Sequence, residues 1–545
     1  MSGNHPGEVR EILGQLPPKS VDIYDTTLRD GSQQEGLSLT VEDKLRVARQ
    51  LDHLGVKFIE GGWPGANPKD SEFFRRCAAG ELHLDTATLV AFGMTRRPNG
   101  RAEDDKVLRE LLDAQTPAIC MVAKAWDYHV INALQTDLVE AVAMVRDSVR
   151  FLRKEGRRVF LDAEHFFDGF GRNPDFGLRV LAAAEEEGAE ALVLCDTNGG
   201  HLPDQVEEMV AAVRRHTSAQ LGAHFHNDSG CAVANTMAAV RQGATQVQGC
   251  INGYGERTGN ADLASLVPNL QLKMGYTALP EGRIERITVV SHHLAEIVNQ
   301  PLPSQRPYVG TSAFAHKAGL HTSAIARARD AYEHLDPSLV GNGTRFVVSE
   351  MAGRSTLELK AVEMGLDLTG ANLGAVLDEL KAKEYDGYHF EVADASLELL
   401  LRRATGWEQP YFRLESYRVI TEELDGGRTN CEATVKVLLP DASGVPDADR
   451  RVAVSEGNGP VNALDTAFRL AVGGRFAHLE SVHLTDYKVR VLDTSQGTGA
   501  RIRVLIDSTD GERTWTTIGV SENVIDASWL ALQDSMIYAL HHAPQ

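Results

Sequence analysis

The first 275 residues alternate short β-rich runs with amphipathic stretches, and this alternation constrains the fold more than any other feature. Glycine, or Asp/Asn next to Pro, marks the ends of the amphipathic stretches. Eight strand–helix units in about 250 residues predict a (β/α)8 barrel. A doubly wound open sheet is the rival, but it usually has fewer units and often a GxGxxG motif after its first strand, which this chain lacks. The predicted strands are VDIYDTTL from Val21, VKFIEGG from Val56, TATLVAFG from Thr86, AICMVA from Ala118, RVFLDAEHF from Arg158, ALVLCDTNG from Ala191, LGAHFHND from Leu221 and TQVQGCING from Thr245.

The remaining residues divide into two parts with different patterns. Residues 276–404 are interpreted as a linker followed by helical subdomains that contain HKAGLH and YEHLDPSLVGN. Residues 405–545 are rich in strands, and two helices follow them at comparable points, after SEGNGPVNALDTAF and VSENVIDASWLAL. This repetition predicts a C-terminal α+β domain of duplicated βββα units. With an N-terminal extension over 1–20 and the barrel over 21–275, the predicted organisation has four parts.

The composition argues against several classes of function. The chain has 76 acidic and 55 basic residues and a net charge of −21, which is unfavourable for binding nucleic acid or an anionic membrane surface. Its six cysteines form no CxxC pair, so a disulfide scaffold or a cysteine-based zinc site is not expected. No apolar stretch approaches the roughly 18 residues of a membrane span, and the start of the chain has no apolar signal segment. We therefore expect a cytoplasmic multidomain protein.

The motif HFHND, at the end of the seventh predicted strand, is the sharpest candidate for chemistry. Functional residues of such barrels lie at the C-terminal ends of the strands. His224 and His226 are two positions apart, so their side chains point to the same side of the strand and can bind one ion together. Imidazole and oxygen ligands without a thiolate suit a divalent ion such as Mg, Mn, Co or Zn. Open coordination positions would serve substrate oxygens and water.

Other polar residues at the predicted strand ends allow two interpretations each. Arg29 and Asp30 are either a pair that closes the barrel, or a metal ligand beside a fixed positive charge that faces a developing oxyanion. Glu164 is either a structural carboxylate or a general acid or base, and Asp162 lies on the same strand face. Thr197 is either a strand cap or a hydroxyl donor to a substrate carboxylate.

A glycine-rich run, NGYGERTGN, follows the eighth predicted strand. It is either a plain tight loop or a segment whose backbone N–H groups approach a phosphate. In the second interpretation Gly253 and Gly255 allow the close approach, and Arg257 adds positive charge. Glu60, at the end of the second strand, is a further candidate for binding substrate.

DTTLRDGSQQEG, HFHND and NGYGERTGN together resemble the metal-dependent Claisen-condensing TIM barrels. This family comprises the 2-isopropylmalate, homocitrate and citramalate synthases and is related to hydroxymethylglutaryl-CoA lyase. IEGGWPGANPKD, AEHFFDG, SAFAHKAGLH and EGNGPVNALD are similar to one branch, the citramalate synthases of the longer type, and the resemblance runs from about Val21 to about Leu540. It implies an acyltransferase that condenses acetyl-CoA with pyruvate and water to give (R)-citramalate and CoA, the first step of a threonine-independent route to isoleucine.

The resemblance also implies roles for particular residues. His321 and Tyr332, from the helical part, are implied to act on acetyl-CoA or the thioester. The glycine-rich run, with Gly253, Gly255 and Arg257, is predicted to bind CoA. The C-terminal domain is similar to regulatory domains that bind an end-product amino acid, so isoleucine inhibition and a homodimer are expected. The general base stays open between Glu164, Asp162 and His321, because His165 follows Glu164 where relatives often show Glu-Asp. The implied metal ligands are Asp30, His224, His226 and Asn260, with Arg29 and Glu164 in the catalytic set.

Three alternatives remain beside this interpretation. The chain is a 2-isopropylmalate or homocitrate synthase if its pocket accepts a larger 2-oxo acid. It is a catalytically silent amino-acid sensor if the barrel has lost its chemistry, although the complete set of implied ligands argues against this. A lyase that runs the reverse cleavage is disfavoured, because the short lyases lack the C-terminal domain.

Overall fold

The computed structural model describes residues 20–317, 321, 324–325, 327–328, 331–348, 353–368, 371–424, 427–441, 445–492 and 494–543. Within these ranges the chain forms two compact units. The first comprises residues 20–314 and Leu335–Gly343, and the second comprises the described residues of 315–334 and those from Thr344 onward. None of the helices in the described ranges is both long and apolar enough to cross a membrane.

Eight parallel strands close into a barrel in the first unit, because β1 pairs with β8 as well as with β2. Each predicted strand overlaps one observed strand, so the predicted (β/α)8 barrel is confirmed and the open sheet is wrong. The strands are β1 (Asp22–Asp25), β2 (Phe58–Gly62), β3 (Thr88–Met94), β4 (Ala118–Lys124), β5 (Arg158–Glu164), β6 (Ala191–Asp196), β7 (Gln220–Phe225) and β8 (Ala244–Gly249).

The helices around the barrel begin at local signals that the sequence contains. Thr40 and Asp43 form a reciprocal capping box at the start of α1, and a proline follows the capping residues Asn67 and Asn173 of α2 and α7. The helices of this unit are α1 (Val41–Leu54), α2 (Pro68–Ala78), α3 (Lys106–Asp113), α4 (Asp127–Asn132), α5 (Leu138–Lys154), α6 (Phe166–Phe170), α7 (Pro174–Glu186), α8 (Pro203–Arg214), α9 (Ala232–Arg241), α10 (Leu263–Pro268) and α11 (Ile287–Ile297).

Two apolar layers hold the barrel together. The larger layer lies between strands and helices and extends to Ile287 and Leu294 of α11, so this helix belongs to the barrel core. The smaller layer fills the interior of the barrel, where alternate strand residues point inward. Its buried members are Tyr24, Phe58, Val90, Phe92, Ala118, Cys120, Phe160 and Ala191.

The second unit contains two similar halves after a short helical part. Strands β11–β13 form an antiparallel sheet followed by α15, and β14–β16 form another followed by α16. The predicted duplication of βββα units is therefore confirmed. The elements are β9 (Ala315–His316), β10 (Arg345–Phe346), α12 (Arg354–Glu363), α13 (Leu373–Tyr385), α14 (Asp394–Ala404), β11 (Arg413–Leu424), β12 (Arg428–Leu439), β13 (Asp449–Gly457), α15 (Pro460–Val472), β14 (His483–Val491), β15 (Ile502–Thr509), β16 (Thr514–Ser521) and α16 (Val524–His541).

Candidate active site

Asp30, His224 and His226 meet at the C-terminal end of the barrel, and we refer to them as the histidine cluster. One possible ligand atom of each lies within 4.8 Å of those of the other two, and all three residues are buried. The Nε2 atoms of His224 and His226 lie 3.4 Å and 3.8 Å from the Asp30 Oδ2 atom. The spacing of β7 accounts for the pair of histidines, since alternate residues share one strand face.

The glycine-rich run brings Asn260 to the same place. His226 and Asn260 form an isolated antiparallel bridge. The Asn260 Nδ2 atom donates to the Tyr254 backbone oxygen at 3.1 Å, while its buried Oδ1 atom has no hydrogen-bond partner among the described residues. Gly255 has a φ of +148°, and a Cβ atom there would lie 2.2 Å from Asn260 Nδ2. This glycine is therefore required by the close packing of the loop against Asn260.

The electrostatic surroundings put the histidine cluster in the state that a metal needs. Burial by itself would raise the pKa of Asp30. The charges of Arg29 and the two imidazoles outweigh this effect and lower the pKa to about 2. Burial lowers the pKa of His224 to about 4 and also lowers that of His226, although Asp30 opposes both shifts. Near neutral pH the carboxylate is charged and both imidazoles are neutral. Together with the unpaired Asn260 oxygen, these donors fit a divalent ion of the Mg, Mn, Co or Zn type.

Arg29 is held rigidly beside the histidine cluster. Its Nε atom donates to Glu60 Oε1 at 2.5 Å, and its Nη1 atom lies 3.3 Å from Asp30 Oδ2. The guanidinium carbon lies 3.8 Å from the centre of the Phe92 ring, which adds a cation–π contact. Burial by itself would lower the pKa of Arg29. The carboxylates of Glu60 and Asp30 outweigh this effect and hold the pKa above its ordinary value. Arg29 is thus a fixed positive charge next to the candidate metal ligands.

Glu60 is fully buried and bonded on both oxygens. Its Oε1 atom accepts from Arg29, and its Oε2 atom accepts from the Tyr24 hydroxyl at 2.6 Å. Glu60, Cys120 and Asp162 also bring three possible ligand atoms within 4.8 Å of one another, and we refer to them as the carboxyl cluster. Burial raises the pKa of Asp162 to about 7, with Glu60 adding to the rise, and burial raises the pKa of Glu60 as well.

A glutamine joins the two clusters. The Gln248 Oε1 atom lies 2.9 Å from His224 Nδ1, and the Gln248 Nε2 atom donates to Asp162 Oδ1 at 2.9 Å. The sequence analysis did not single out Gln248, Tyr24 or Cys120. A signal was present in β8, where TQVQG places two glutamines on one face of an otherwise buried strand.

Glu164 and Thr197 lie at the ends of the adjacent strands β5 and β6. Glu164 forms an ion pair with Lys124 of β4, and its side chain is partly exposed. The Thr197 hydroxyl oxygen accepts from the backbone N–H of His165 at 2.9 Å. His165 has a φ of +54°, a conformation that is uncommon for residues other than glycine. This conformation turns the chain directly after Glu164.

Two of the three predicted CoA-binding residues line a cavity of about 480 Å³ in the first unit. Gly253 and Arg257 line it, whereas Gly255 is not among its lining residues. Arg257 donates from Nε and Nη2 to the two Asp228 carboxylate oxygens at 2.8 Å and 3.0 Å. Arg306 and the segment from Gln300 to Pro303 complete one side of this cavity.

His321 and Tyr332 belong to the second unit, whereas the other candidate residues belong to the first. Their rings stack with 4.1 Å between centres and 24° between planes. The structure therefore brings these two residues together as a pair. His316, the other histidine of HKAGLH, lies with Nε2 3.5 Å from the Glu333 Oε1 atom.

Comparison with known proteins covers almost the whole chain. Family models match residues 20–290 (HMGL-like), 308–387 (homocitrate synthase post-HMGL domain-like) and 391–540 (LeuA allosteric, dimerisation domain). The chain is 53% identical to an (R)-citramalate synthase of Streptomyces coelicolor over 96% of this chain and 97% of that protein. It is 48% identical to one of Aquifex aeolicus over 96% and 98%.

A probable 2-isopropylmalate synthase of Methanopyrus kandleri is more distant. It is 31% identical over 94% of this chain and 96% of that protein. The two higher of these three identities belong to relatives named (R)-citramalate synthase. On these matches, the chain belongs to the (R)-citramalate synthase family.

Proposed function

We propose that this protein is an acyltransferase that condenses acetyl-CoA with pyruvate and water to give (R)-citramalate and CoA. The observation that carries the proposal is the histidine cluster with Asn260 and the fixed charge of Arg29 beside it. A 2-oxo acid offers a carboxylate and a keto oxygen, which suit a divalent ion and an adjacent cation. The high identity to relatives with this name supports pyruvate as the 2-oxo acid.

The histidine cluster and Asn260 would hold the metal, which when bound would supply Lewis-acid polarisation of the keto group. Arg29 stabilises the negative charge that develops on the keto oxygen during carbon–carbon bond formation. Glu60 holds Arg29 in place through the hydrogen bond between Arg29 Nε and Glu60 Oε1, and its contact with substrate stays a prediction. The Thr197 hydroxyl, which accepts one hydrogen bond in the structure, retains its proton for donation to the pyruvate carboxylate.

The methyl group of acetyl-CoA is only weakly acidic, so a base must remove its proton as the new bond forms. We assign this role to Glu164, with Lys124 holding its carboxylate at the end of the barrel. His321 and Tyr332 are assigned to the thioester. Hydrolysis of the thioester then releases CoA and makes the synthesis effectively irreversible.

We place acetyl-CoA in the cavity of about 480 Å³ that Gly253 and Arg257 line. Arg257 and Arg306 supply positive charge for a diphosphate, although Asp228 and Asp262 already pair with them. The glycine-rich run lines this cavity and also ends in Asn260, which is bridged to His226 of the histidine cluster. This position links the CoA carrier to the reacting carbon.

The C-terminal unit is proposed to dimerise the chain and to bind isoleucine as a feedback inhibitor. The match to a LeuA allosteric (dimerisation) domain supports the dimer. A cavity of about 470 Å³ in this unit combines apolar residues, such as Phe476 and Leu479, with Arg469 and Asp465. These groups have the chemistry to receive an apolar amino acid. Isoleucine would then lower activity of the intact chain, and cell fractionation would test the proposed cytoplasmic location.

Thiol release by the purified chain tests the proposed activity. The assay supplies acetyl-CoA, Mn²⁺ and one 2-oxo acid at a time: pyruvate, 2-oxobutyrate, 2-oxoisovalerate or 2-oxoglutarate. We expect the highest kcat/KM with pyruvate, because one extra methylene in an apolar pocket changes discrimination by about 10–200-fold. Faster turnover of 2-oxoisovalerate would make the chain a 2-isopropylmalate synthase. Metal binding without turnover of any 2-oxo acid would instead favour a sensing role.

A further inference from the structure

We propose that Gln248 is a positioning residue that fixes the ring orientation and the tautomer of His224, and that Asp162 fixes the amide orientation of Gln248. The proposal rests on the proposed function, since it takes His224 as a metal ligand. It concerns a hydrogen-bonded chain of three buried side chains, on three different strands of the barrel.

The geometry of this chain starts at the histidine. His224 Nε2 faces Asp30 Oδ2 at 3.4 Å, so this nitrogen is the one available to an ion between them. A ligating imidazole nitrogen carries no proton, and the proton of the neutral ring therefore lies on Nδ1. The Nδ1–H group donates to Gln248 Oε1 at 2.9 Å. The two strands are paired in register at these residues, which holds the side chains at this distance.

The amide of Gln248 has two possible orientations, and only one supports this tautomer. With the nitrogen turned toward His224, two N–H donors would face each other in a buried site. Asp162 selects the other orientation, because its Oδ1 atom accepts from Gln248 Nε2 at 2.9 Å. Gln248 is fully buried and Asp162 almost so, and water does not reach the amide to take the place of either partner.

His226 lacks such a support. Its Nδ1 atom is buried and has no hydrogen-bond partner among the described residues. His224 is thus the ligand with a fixed orientation, and Gln248 is the residue that fixes it. Removing a residue that hydrogen-bonds the second ring nitrogen of a metal-binding histidine commonly weakens metal affinity by about 10–100-fold.

Gln246 provides a matched control on the same strand. It lies two residues before Gln248, so its side chain shares the same strand face, and it is also fully buried. Neither its oxygen nor its nitrogen has a hydrogen-bond partner among the described residues. Gln246→Met and Gln248→Met each remove one buried amide from β8 and put a side chain of similar size in its place. Only Gln248 contacts a candidate ligand.

The test is a titration of the metal-free full-length chain with Mn²⁺, in which the electron paramagnetic resonance signal of free Mn²⁺ measures binding. We expect Gln248→Met to weaken binding by about 10–100-fold and Gln246→Met to change it by less than about twofold. Above the Asp162 pKa of about 7, Gln248→Glu should weaken binding as well, because the new carboxylate still accepts from His224 but now faces an ionised Asp162 carboxylate. Thermal melting of each variant reports whether the fold is kept.

A reciprocal swap separates positioning from a general loss of structure. The double variant combines Gln248→Glu with Asp162→Asn. The amide now stands at position 162 and donates to the carboxylate at position 248, and this carboxylate accepts from His224. We expect the swap to recover at least about tenfold of the Mn²⁺ affinity lost in Gln248→Glu. This recovery also decides the matter if Gln248→Met fails to fold.

Several outcomes overturn the proposal. Unchanged affinity in Gln248→Met, equal losses in the two methionine variants, or a swap no better than Gln248→Glu would each do so. A wild-type chain that binds no Mn²⁺ overturns the metal site and the role of Gln248 with it. A wild-type chain that binds Mn²⁺ but releases no CoA overturns the proposed reaction alone, and the binding comparison still decides the role of Gln248.

Discussion

The histidine cluster and the carboxyl cluster have similar distances between their possible ligand atoms but opposite shifts in pKa. Each brings three possible ligand atoms within 4.8 Å inside the barrel, and each is buried. In the histidine cluster the pKa values of Asp30 and both histidines are lowered, so the ligand atoms are free of protons near neutral pH. The nearby Asn260 oxygen has no partner among the described residues.

The carboxyl cluster has the reverse properties. Burial raises the pKa of Asp162 to about 7 and that of the Cys120 thiol well above its usual range. The oxygens of Glu60 and Asp162 already accept hydrogen bonds from Tyr24, Arg29 and Gln248. A group of ligand-type side chains therefore suits a metal only when its ligand atoms are unprotonated. The carboxyl cluster instead contacts Arg29 and Gln248, which lie beside the candidate metal ligands.

Asp30→Ala should have the largest effect. It removes the only carboxylate of the histidine cluster, so Mn²⁺ affinity and citramalate formation should both fall by more than about 100-fold. Binding and thiol-release assays on the same preparation measure this. Retained Mn²⁺ binding would show that the metal lies elsewhere, with the carboxyl cluster as the first place to look.

Arg29→Lys should lower kcat by about 100–1000-fold while Mn²⁺ affinity stays within about threefold of the wild type. Lysine keeps the charge but loses the planar group that bonds Glu60 and stacks on Phe92. Steady-state kinetics with varied pyruvate, together with Mn²⁺ titration, separate the two effects. An equal loss of metal affinity would place Arg29 among the groups that hold the ion rather than the oxyanion.

Asp162→Asn should flatten the dependence of stability on pH. The folded-state pKa of about 7 lies above the ordinary value of 3.8, so the folded chain binds this proton more tightly than the unfolded chain. This contribution to stability is complete below about pH 4 and is lost as the pH rises through 7. The variant cannot ionise, and its Tm should fall by about 3 °C less than that of the wild type between pH 5 and 8. Parallel melting curves would contradict the raised pKa.

Cys120→Ala should have the smallest effect on function. It removes the only sulfur of the carboxyl cluster, at a cost of about 1 kcal/mol in stability for a small buried side chain. We expect Mn²⁺ affinity within about twofold of the wild type. A clear loss of affinity would mean that the carboxyl cluster binds an ion after all.

The sequence predicts the barrel well because its two periodicities are local. Each strand is a short apolar run between turn residues, and eight repeats in about 250 residues leave one closed arrangement. His224 and His226 could be predicted for the same reason, since two positions on one strand share a face. The pairing of His224 with Gln248 could not be predicted, because it depends on the register between the neighbouring strands β7 and β8. A buried glutamine in a strand shows that a partner exists without showing which one.

The roles of Glu60 and the glycine-rich run illustrate the same limit. Both follow predicted strands, and both were expected to meet substrate. The structure shows that Glu60 accepts hydrogen bonds from Tyr24 and Arg29, and that Gly255 is needed by the packing of Asn260. Contacts of this kind are set by neighbours that are distant in sequence.

Pairing of β1 with β8 has a consequence for how the chain folds during its synthesis. Asp30 follows the first strand, whereas His224, His226 and Asn260 come from the seventh and eighth strands, so the ligands meet only when the barrel closes. A nascent chain that has emerged only as far as β6 has one of the four candidate ligands and cannot retain the ion. A metal held by these four residues would therefore be taken up after closure, and it would stabilise the closed barrel relative to partly assembled forms.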